Sequence, residues 1–346
     1  MNDPCLRLLC AKLAELHGKT LWLADEIHLE ALPHLAPYSS SIDFHTNRFD
    51  VHQQALSAGL ESQFSDWVLG AERKYTNVVL RIGKEKAVGQ HLIKSASSLL
   101  IENGRLLLAG QKNEGIKSYE KIASEVFTGN PKGKHLNKHG NCYYAEFIEN
   151  TGTTETSSDY HEIKQVVEWQ GMTFHSKPGV YGWNKVDAGS ALLVERLTEL
   201  IQNDMPKVNS ILDIGCGYGF LCVASAFIKC EKRVATDNNA AALECCAFNA
   251  KHHDFPLEVV AGDCANTVDG NFDLVLCNPP FHKGFDVDGE LTTRFLQAAR
   301  DKLNKNGIAI FVVNSFIPIE KKLTHYFKTY ETLANTGQFK VLKLIA

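Results

Sequence analysis

A short apolar run, Ser210-Ile211-Leu212-Asp213-Ile214, passes directly into Gly215-Cys216-Gly217-Tyr218-Gly219, and a helix-forming stretch over residues 220–229 follows. Three glycines at alternate positions between a strand and a helix leave few folds open. They let the backbone turn sharply and let a ligand approach with no Cβ in the way. The chain beyond them keeps a regular beat. Residues 233–237 read as a second strand, 240–251 as a helix, 257–260 as a third strand and 272–277 as a fourth. A helix over 292–303 and a strand over 307–313 complete the series. Strands alternating with helices of about 10–15 residues predict a parallel, doubly wound α/β sheet.

The N-terminal half repeats this order more faintly. Residues 20–24 and 41–44 are strand candidates. Residues 64–69, a helix near 84–100 and a strand over 103–109 echo residues 272–276, the helix after them and the strand after Asn306-Gly307. This reading predicts a duplication, with two tandem Rossmann-like domains over residues 1–155 and 160–346, joined by the polar stretch 150–159. Two domains also suit a chain of 346 residues. The first copy has no glycine cluster after its first strand and no Asn-Pro-Pro after its fourth. It is expected to be a degenerate scaffold, with ligand binding left to the second copy.

The bulk composition excludes several classes. Acidic residues number 40 against 36 lysines and arginines, for a formal net charge of −4. That balance does not suit a protein that coats nucleic acid, so contact with RNA would need a local basic face. No apolar run reaches the ~18 residues of a membrane span. The N-terminal MNDPCLRLLCAKLAEL lacks a basic flank and a small-residue cleavage site, so no signal peptide is expected. Ten cysteines are scattered from Cys5 to Cys277 without a Cys-x-x-Cys pair or metal-ligand spacing. They are expected to be buried thiols in a cytoplasmic protein that holds no metal.

Acids mark the strand ends. Asp213 stands two residues before Gly215, where it could accept from a ligand's ammonium group. Asp237, beside Asn238, closes the second strand and suits two ribose hydroxyls. Asp263 closes the third strand and suits an adenine amino group, and the neighbouring backbone at Cys264 suits the ring nitrogens. Each acid alone reads equally well as a solvated turn residue. In this order, together with Gly215, Cys216, Gly217 and Gly219, they point to S-adenosylmethionine.

Asn278-Pro279-Pro280-Phe281 closes the fourth strand. Two prolines stiffen the loop. They would hold the Asn278 side-chain oxygen and the Pro279 carbonyl as fixed acceptors, with Phe281 free to stack on a planar ring. The lone pair of an aryl amine is delocalised into its ring. Acceptors on its N–H groups can turn that lone pair toward a methyl sulfonium, and positioning then carries most of the catalysis. The motif therefore predicts methyl transfer to an exocyclic amine, without a strong base or a nucleophilic cysteine. Cys277 reads as strand packing. His282 and Lys283 read as contacts to a phosphate or sugar, or as a solvated loop.

These segments, with PGVYGWNKVDAGSALLVERL upstream and ANTGQFKVLKLIA at the end, resemble the RsmC/RlmG family of ribosomal RNA guanine-N2 methyltransferases. The resemblance spans residues 169–346 strongly and the first half more weakly. It implies a duplicated methyltransferase fold whose first copy has lost cofactor binding. It implies that Asp213, Gly215, Gly217 and Gly219 form the cofactor loop, that Asp237 holds the ribose and Asp263 the adenine, and that Asn278, Pro279 and Phe281 hold the target guanine. Asp187, Gly189 and Ser190 match the family's segment over the methionine end of the cofactor. The C-terminal segment is closer to the branch that modifies 16S rRNA of the small subunit or its assembly intermediate. Lys283-Gly284 and Tyr181-Gly182-Trp183-Asn184 depart from that branch's usual pattern. A lysine-rich loop over 129–141, with Lys132, Lys134 and Lys138, makes the first domain a candidate RNA-positioning module. A monomer is expected. The residues alone also leave open a 23S rRNA, DNA adenine-N6 or protein glutamine methyltransferase, and a non-enzymatic RNA-binding assembly factor.

Overall fold

The computed structural model describes the whole chain except residues 71, 84, 129–134, 151–158, 204–205, 281, 284–285 and 288. For the remaining positions between 281 and 290 it describes the backbone alone. The chain forms two compact units, Met1–Glu162 and Ile163–Ala346. The proposed linker 150–159 falls almost wholly outside the described residues.

In the first unit the strands are β1 (Thr20–Ala24), β2 (Ile42–Thr46), β3 (Glu61–Phe64), β4 (Tyr75–Arg81), β5 (Leu100–Gln111), β6 (Asn137–His139) and β7 (Cys142–Ile148). Its helices are α1 (Pro4–Ala11), α2 (Leu32–Leu35), α3 (Phe49–Ser57), α4 (Lys86–Leu99) and α5 (Ile116–Val126). The second unit opens with a hairpin of β8 (Lys164–Trp169) and β9 (Met172–Ser176), then α6 (Ala188–Gln202). Next come β10 (Ser210–Ile214), α7 (Phe220–Ala224), β11 (Lys232–Asp237), α8 (Ala240–His252), β12 (Glu258–Ala261) and β13 (Phe272–Cys277). The chain closes with β14 (His282–Lys283), β15 (Asp286–Val287), α9 (Gly289–Lys302), β16 (Leu303–Asn314), α10 (Glu320–Tyr326), β17 (Thr329–Asn335) and β18 (Phe339–Ile345).

The two main sheets have the same topology, β3-β2-β1-β4-β5-β7-β6 and β12-β11-β10-β13-β16-β18-β17. In the second unit the central strands are covered on both faces. Leu212, Ile214, Val275 and Phe311 pack with Phe295 and Leu296 of α9. Ile211, Leu274, Leu276 and Ile310 pack on the other side with Leu193 and Leu197 of α6. Coverage on both faces is why these strands read as nearly unbroken apolar runs.

The duplication is present, but its register differs from the sequence reading. The fourth strand of the first copy is β4, not residues 64–69. Phe64 ends β3, Trp67 takes a left-handed φ of 59°, and Val68 is 62% exposed. Val78, Val79 and Leu80 of β4 are instead fully buried between β1 and β5. The likeness of Phe64-Ser65-Asp66 to Phe272-Asp273 was local, and strand position is decided by partners on both sides. The fourth strand of the first copy therefore ends at Arg81, with Ile82-Gly83 following it. The pairing gives the true equivalences. Leu80 faces Leu23 and Leu108 as Cys277 faces Ile214 and Phe311. Arg81 thus takes the place of Asn278. Trp22, opposite Val79, takes the place of Asp213, opposite Leu276.

Two further differences have local causes. The sheets are mixed, because β7 pairs antiparallel with β5 and β6 in the first, and β18 with β16 and β17 in the second. Helix α7 stops at Ala224 instead of running to residue 229. The guanidinium of Arg233 takes the backbone carbonyl of Ser225, which a helix running to residue 229 would offer to the Lys229 N–H, and also that of Ile228.

Arg81 is buried and bridges Asp3 Oδ2 and Glu114 Oε1, each at 2.7 Å. Replacing it leaves two carboxylates facing each other without their cation. Arg81→Met is expected to lower stability by about 3 kcal/mol, read as a fall in the urea midpoint of the first unit.

Candidate active site

The carboxyl ends of β10, β11, β12 and β13 lie side by side through parallel pairing. Each carries one of the groups singled out in the sequence. Asp213 is wholly buried (0% exposed) near the end of β10. Its Oδ2 accepts from the Cys222 thiol at 3.2 Å, and its Oδ1 has no hydrogen-bond partner among the described residues. Burial lifts this carboxyl up to about 7, against the pull of the Cys222 hydrogen bond. A buried acid with an unfilled acceptor beside a glycine loop fits a cofactor that carries positive charge.

The loop itself is held by Asp237. Its Oδ2 accepts from Gly217 N at 3.0 Å and its Oδ1 from Asn239 N at 2.9 Å. Gly215, Gly217 and Gly219 all have positive φ, with Gly219 at +87°. A Cβ on Gly219 would sit 2.9 Å from Cys246 Sγ. Cys216 is buried in the loop, next to Cys222 and Cys246. The segment before α6 is tied to the same loop. Tyr218 Oη donates to the Lys185 carbonyl at 3.0 Å, and Asn239 Nδ2 donates to the Gly179 carbonyl at 2.8 Å.

Asp187 is the N-cap of α6, and its Oδ1 accepts from Ser190 N at 2.9 Å. The same Oδ1 accepts from Asn278 Nδ2 at 2.8 Å, and Ser190 Oγ accepts from Asn278 Nδ2 at 2.8 Å. A Cβ on Gly189 would meet the Phe339 ring at 3.0 Å, which is why the helix start carries a glycine there. Asp263 is engaged by Arg294 of α9 in an ion pair. Cys264, beside it, has a φ of 48°. Pro279 and Pro280 follow β13 as expected. Cys277 is buried in the core, in agreement with strand packing. His282 and Lys283 form one arm of a two-residue antiparallel ladder with Asp286 and Val287. Phe281 lies outside the described residues.

The matches to known proteins agree with this geometry. The chain matches the methyltransferase small domain over residues 171–343 and its N-terminal partner domain over residues 7–162. The ribosomal RNA small subunit methyltransferase C of Haemophilus influenzae is 30% identical over 242 residues, which is 68% of this chain and 69% of that protein. The protein of that name from Shewanella loihica is 29% identical over 307 residues, covering 87% and 85% of the two chains. The chain belongs to the methyltransferase small domain family. A solved relative, the T. thermophilus 16S rRNA N2 G1207 methyltransferase (RsmC) in complex with AdoMet and guanosine, matches at a TM-score of 0.87 and 25% identity. The match covers 99% of this chain and 92% of that one. This family member is an S-adenosylmethionine-dependent methyltransferase.

Several partnerships in the methyltransferase site carried no signal in the sequence. Neither Arg294 nor Cys222 stands out by spacing or motif. Asn249 ties the Tyr218 carbonyl to the His175 backbone and was also missed. Of the lysines read as RNA contacts, Lys138 is exposed on β6, while Lys132 and Lys134 lie outside the described residues.

Two outcomes follow from the loop and the buried acid. Gly219→Ala forces an L side chain into a left-handed backbone and against Cys246. It is expected to weaken S-adenosylmethionine binding at least about tenfold and to cost about 1–3 kcal/mol of stability, measured by calorimetry and urea unfolding. Asp213 has a folded pKa above its unfolded value, so the folded state binds its proton more tightly. Its contribution to stability is complete below about pH 4 and is lost as pH climbs through about 7, by up to about 4 kcal/mol. Unfolding of the ligand-free protein across this range should show the decline, and Asp213→Asn should flatten it.

Proposed function

We propose that the second unit transfers the methyl group of S-adenosylmethionine to the exocyclic N2 amine of a guanine in 16S ribosomal RNA. The observation that carries this reading is the match of 99% of the chain to the T. thermophilus enzyme bound to AdoMet and guanosine. The cofactor, when bound, supplies an electrophilic methyl on its sulfonium. In this reading the glycine loop with Asp213, Asp237 and Asn238 holds its methionine and ribose ends, and Asp263 with Cys264 its adenine. The Asn278 side-chain oxygen and the Pro279 carbonyl accept the two N–H groups of the guanine amine, which frees its lone pair for in-line attack. Pro280 fixes the loop, and Phe281 stacks on the base once it has been unstacked from the RNA.

Residues 1–155 then serve to hold RNA, through Lys132, Lys134 and Lys138, for the catalytic region 160–346. His282 and Lys283 meet the sugar or phosphate of the target nucleotide. The substrate is the small ribosomal subunit or an assembly intermediate, met in the cytoplasm by a monomer that uses no metal. No helix among the described residues is long and apolar enough to cross a membrane. No cluster of metal-ligating side chains occurs among them.

The test is direct. Purified protein is incubated with tritiated S-adenosylmethionine and, separately, with small and large subunits that lack the modification. Label is expected in N2-methylguanosine of 16S rRNA. Label in 23S rRNA alone would move the protein to the large subunit, and label in neither would overturn the reading. Asn278→Ala is expected to lower kcat on the order of 10²-fold or more.

A further inference from the structure

We infer that Asp187 and Ser190 are positioning residues for the methyl transfer, and that they act by fixing which way the Asn278 amide faces. The inference rests on the proposed role of Asn278 as the acceptor of the target amine. A side-chain amide offers two N–H donors and one carbonyl oxygen. Both donors of Asn278 are consumed, one by Asp187 Oδ1 and one by Ser190 Oγ, each at 2.8 Å. A carboxylate only accepts, so turning the amide over would set its oxygen against the oxygen of Asp187. The amide therefore has one orientation, and its Oδ1 points away from the helix. No described residue donates to that oxygen. The pull of a charged acceptor on the N–H groups also makes the carbonyl oxygen a stronger acceptor.

The first unit supplies an internal control. Asp3 caps α1 as Asp187 caps α6, each accepting from the backbone three residues on, Leu6 N at 2.7 Å and Ser190 N at 2.9 Å. Both acids also clamp the residue at the end of the fourth strand, Asn278 directly after β13 and its counterpart as the last residue of β4. In the silent unit that residue is Arg81, which donates to Asp3 Oδ2 at 2.7 Å. The cap and the clamp are kept in both copies. What changes is the pair that matters for an amine. Leu6 stands where Ser190 stands, and Arg81 stands where Asn278 stands. A guanidinium has no acceptor atom. The copy without a glycine loop thus lacks both the leftover oxygen and the hydroxyl anchor, and Glu114 is there the second partner of the clamped side chain. A clamp alone does not require an asparagine or a serine.

The experiment separates this role from helix capping and from direct contact with the cofactor. Serine and asparagine both cap helices well, so Asp187→Ser keeps the cap and removes the reach to Asn278. Asp187→Asn keeps the cap and offers a neutral acceptor. With unmodified small subunits as substrate, kcat is expected to fall on the order of 10²-fold in Asp187→Ser and less in Asp187→Asn. Ser190→Ala should fall as well. The affinity for S-adenosylmethionine by calorimetry should stay within about threefold and the melting temperature within a few degrees. In an Asn278→Ala background, Asp187→Ser should cause no further loss, because the acid acts through the amide. Unchanged kcat in Asp187→Ser with an active wild type would overturn the inference. So would a loss of cofactor affinity that accounts for the whole effect, or full additivity with Asn278→Ala. A wild type that labels no guanine would overturn the proposed function, and this inference with it.

Discussion

Parallel pairing of β10 with β11 and β13, and of β11 with β12, is the constraint from which the rest of this molecule follows. It brings the carboxyl ends of four strands together at one edge. Each strand end leaves the sheet there and turns toward a helix, so polar side chains collect where backbone groups change partners. Asp213, Asp237, Asp263 and Asn278 lie far apart along the chain and are gathered by strand register alone. Their chemistry differs because their surroundings differ. Asp237 is held by backbone N–H groups, Asp263 by Arg294, and Asp213 by a thiol within an apolar shell.

The same constraint acts in the first unit with different residues at the strand ends. Trp22 fills the position of Asp213 with a fully buried indole. Arg81 fills that of Asn278 and is neutralised by Asp3 and Glu114. Asp66 occupies the place of Asp263 and accepts from the phenol of Tyr160 at 2.6 Å. Here Arg81 and Asp66 have side-chain partners and Trp22 fills the space with a ring, whereas in the second unit Asp213 Oδ1 and Asn278 Oδ1 keep acceptors without a partner among the described residues. One topology thus supports a self-filled scaffold and a binding site, and a few substitutions at strand ends decide which.

Much of the fold was legible because its signals are local. A strand, three glycines and a helix form one continuous segment, so residues 210–219 could be read without knowing what packs on them. The boundaries of β10 and β13 were read as they stand in the structure. Prolines 279 and 280 stop β13 by covalent geometry. The N-terminal copy was harder, since its strand ends carry no glycine loop and no proline pair. Phe64-Ser65-Asp66 looked like the start of a fourth strand, yet Trp67 turns the chain away and β4 begins at Tyr75. The edge hairpin β17–β18 was also missed. Its strand β17 is largely exposed and carries little apolar periodicity.

The sequence by itself determined the α/β class, the duplication, the glycine loop, the Asn-Pro-Pro turn and the family. Each of these depends on neighbours in the chain or on a pattern repeated along it. Only the tertiary structure decided that Asp187 meets Asn278, 91 residues away, and that Arg81 stands in the first unit where Asn278 stands in the second. The physical reason is that a hydrogen bond between distant residues is set by strand register and by where a helix starts against the sheet. A shift of one residue sends a side chain to the opposite face, and no local propensity records which face it takes.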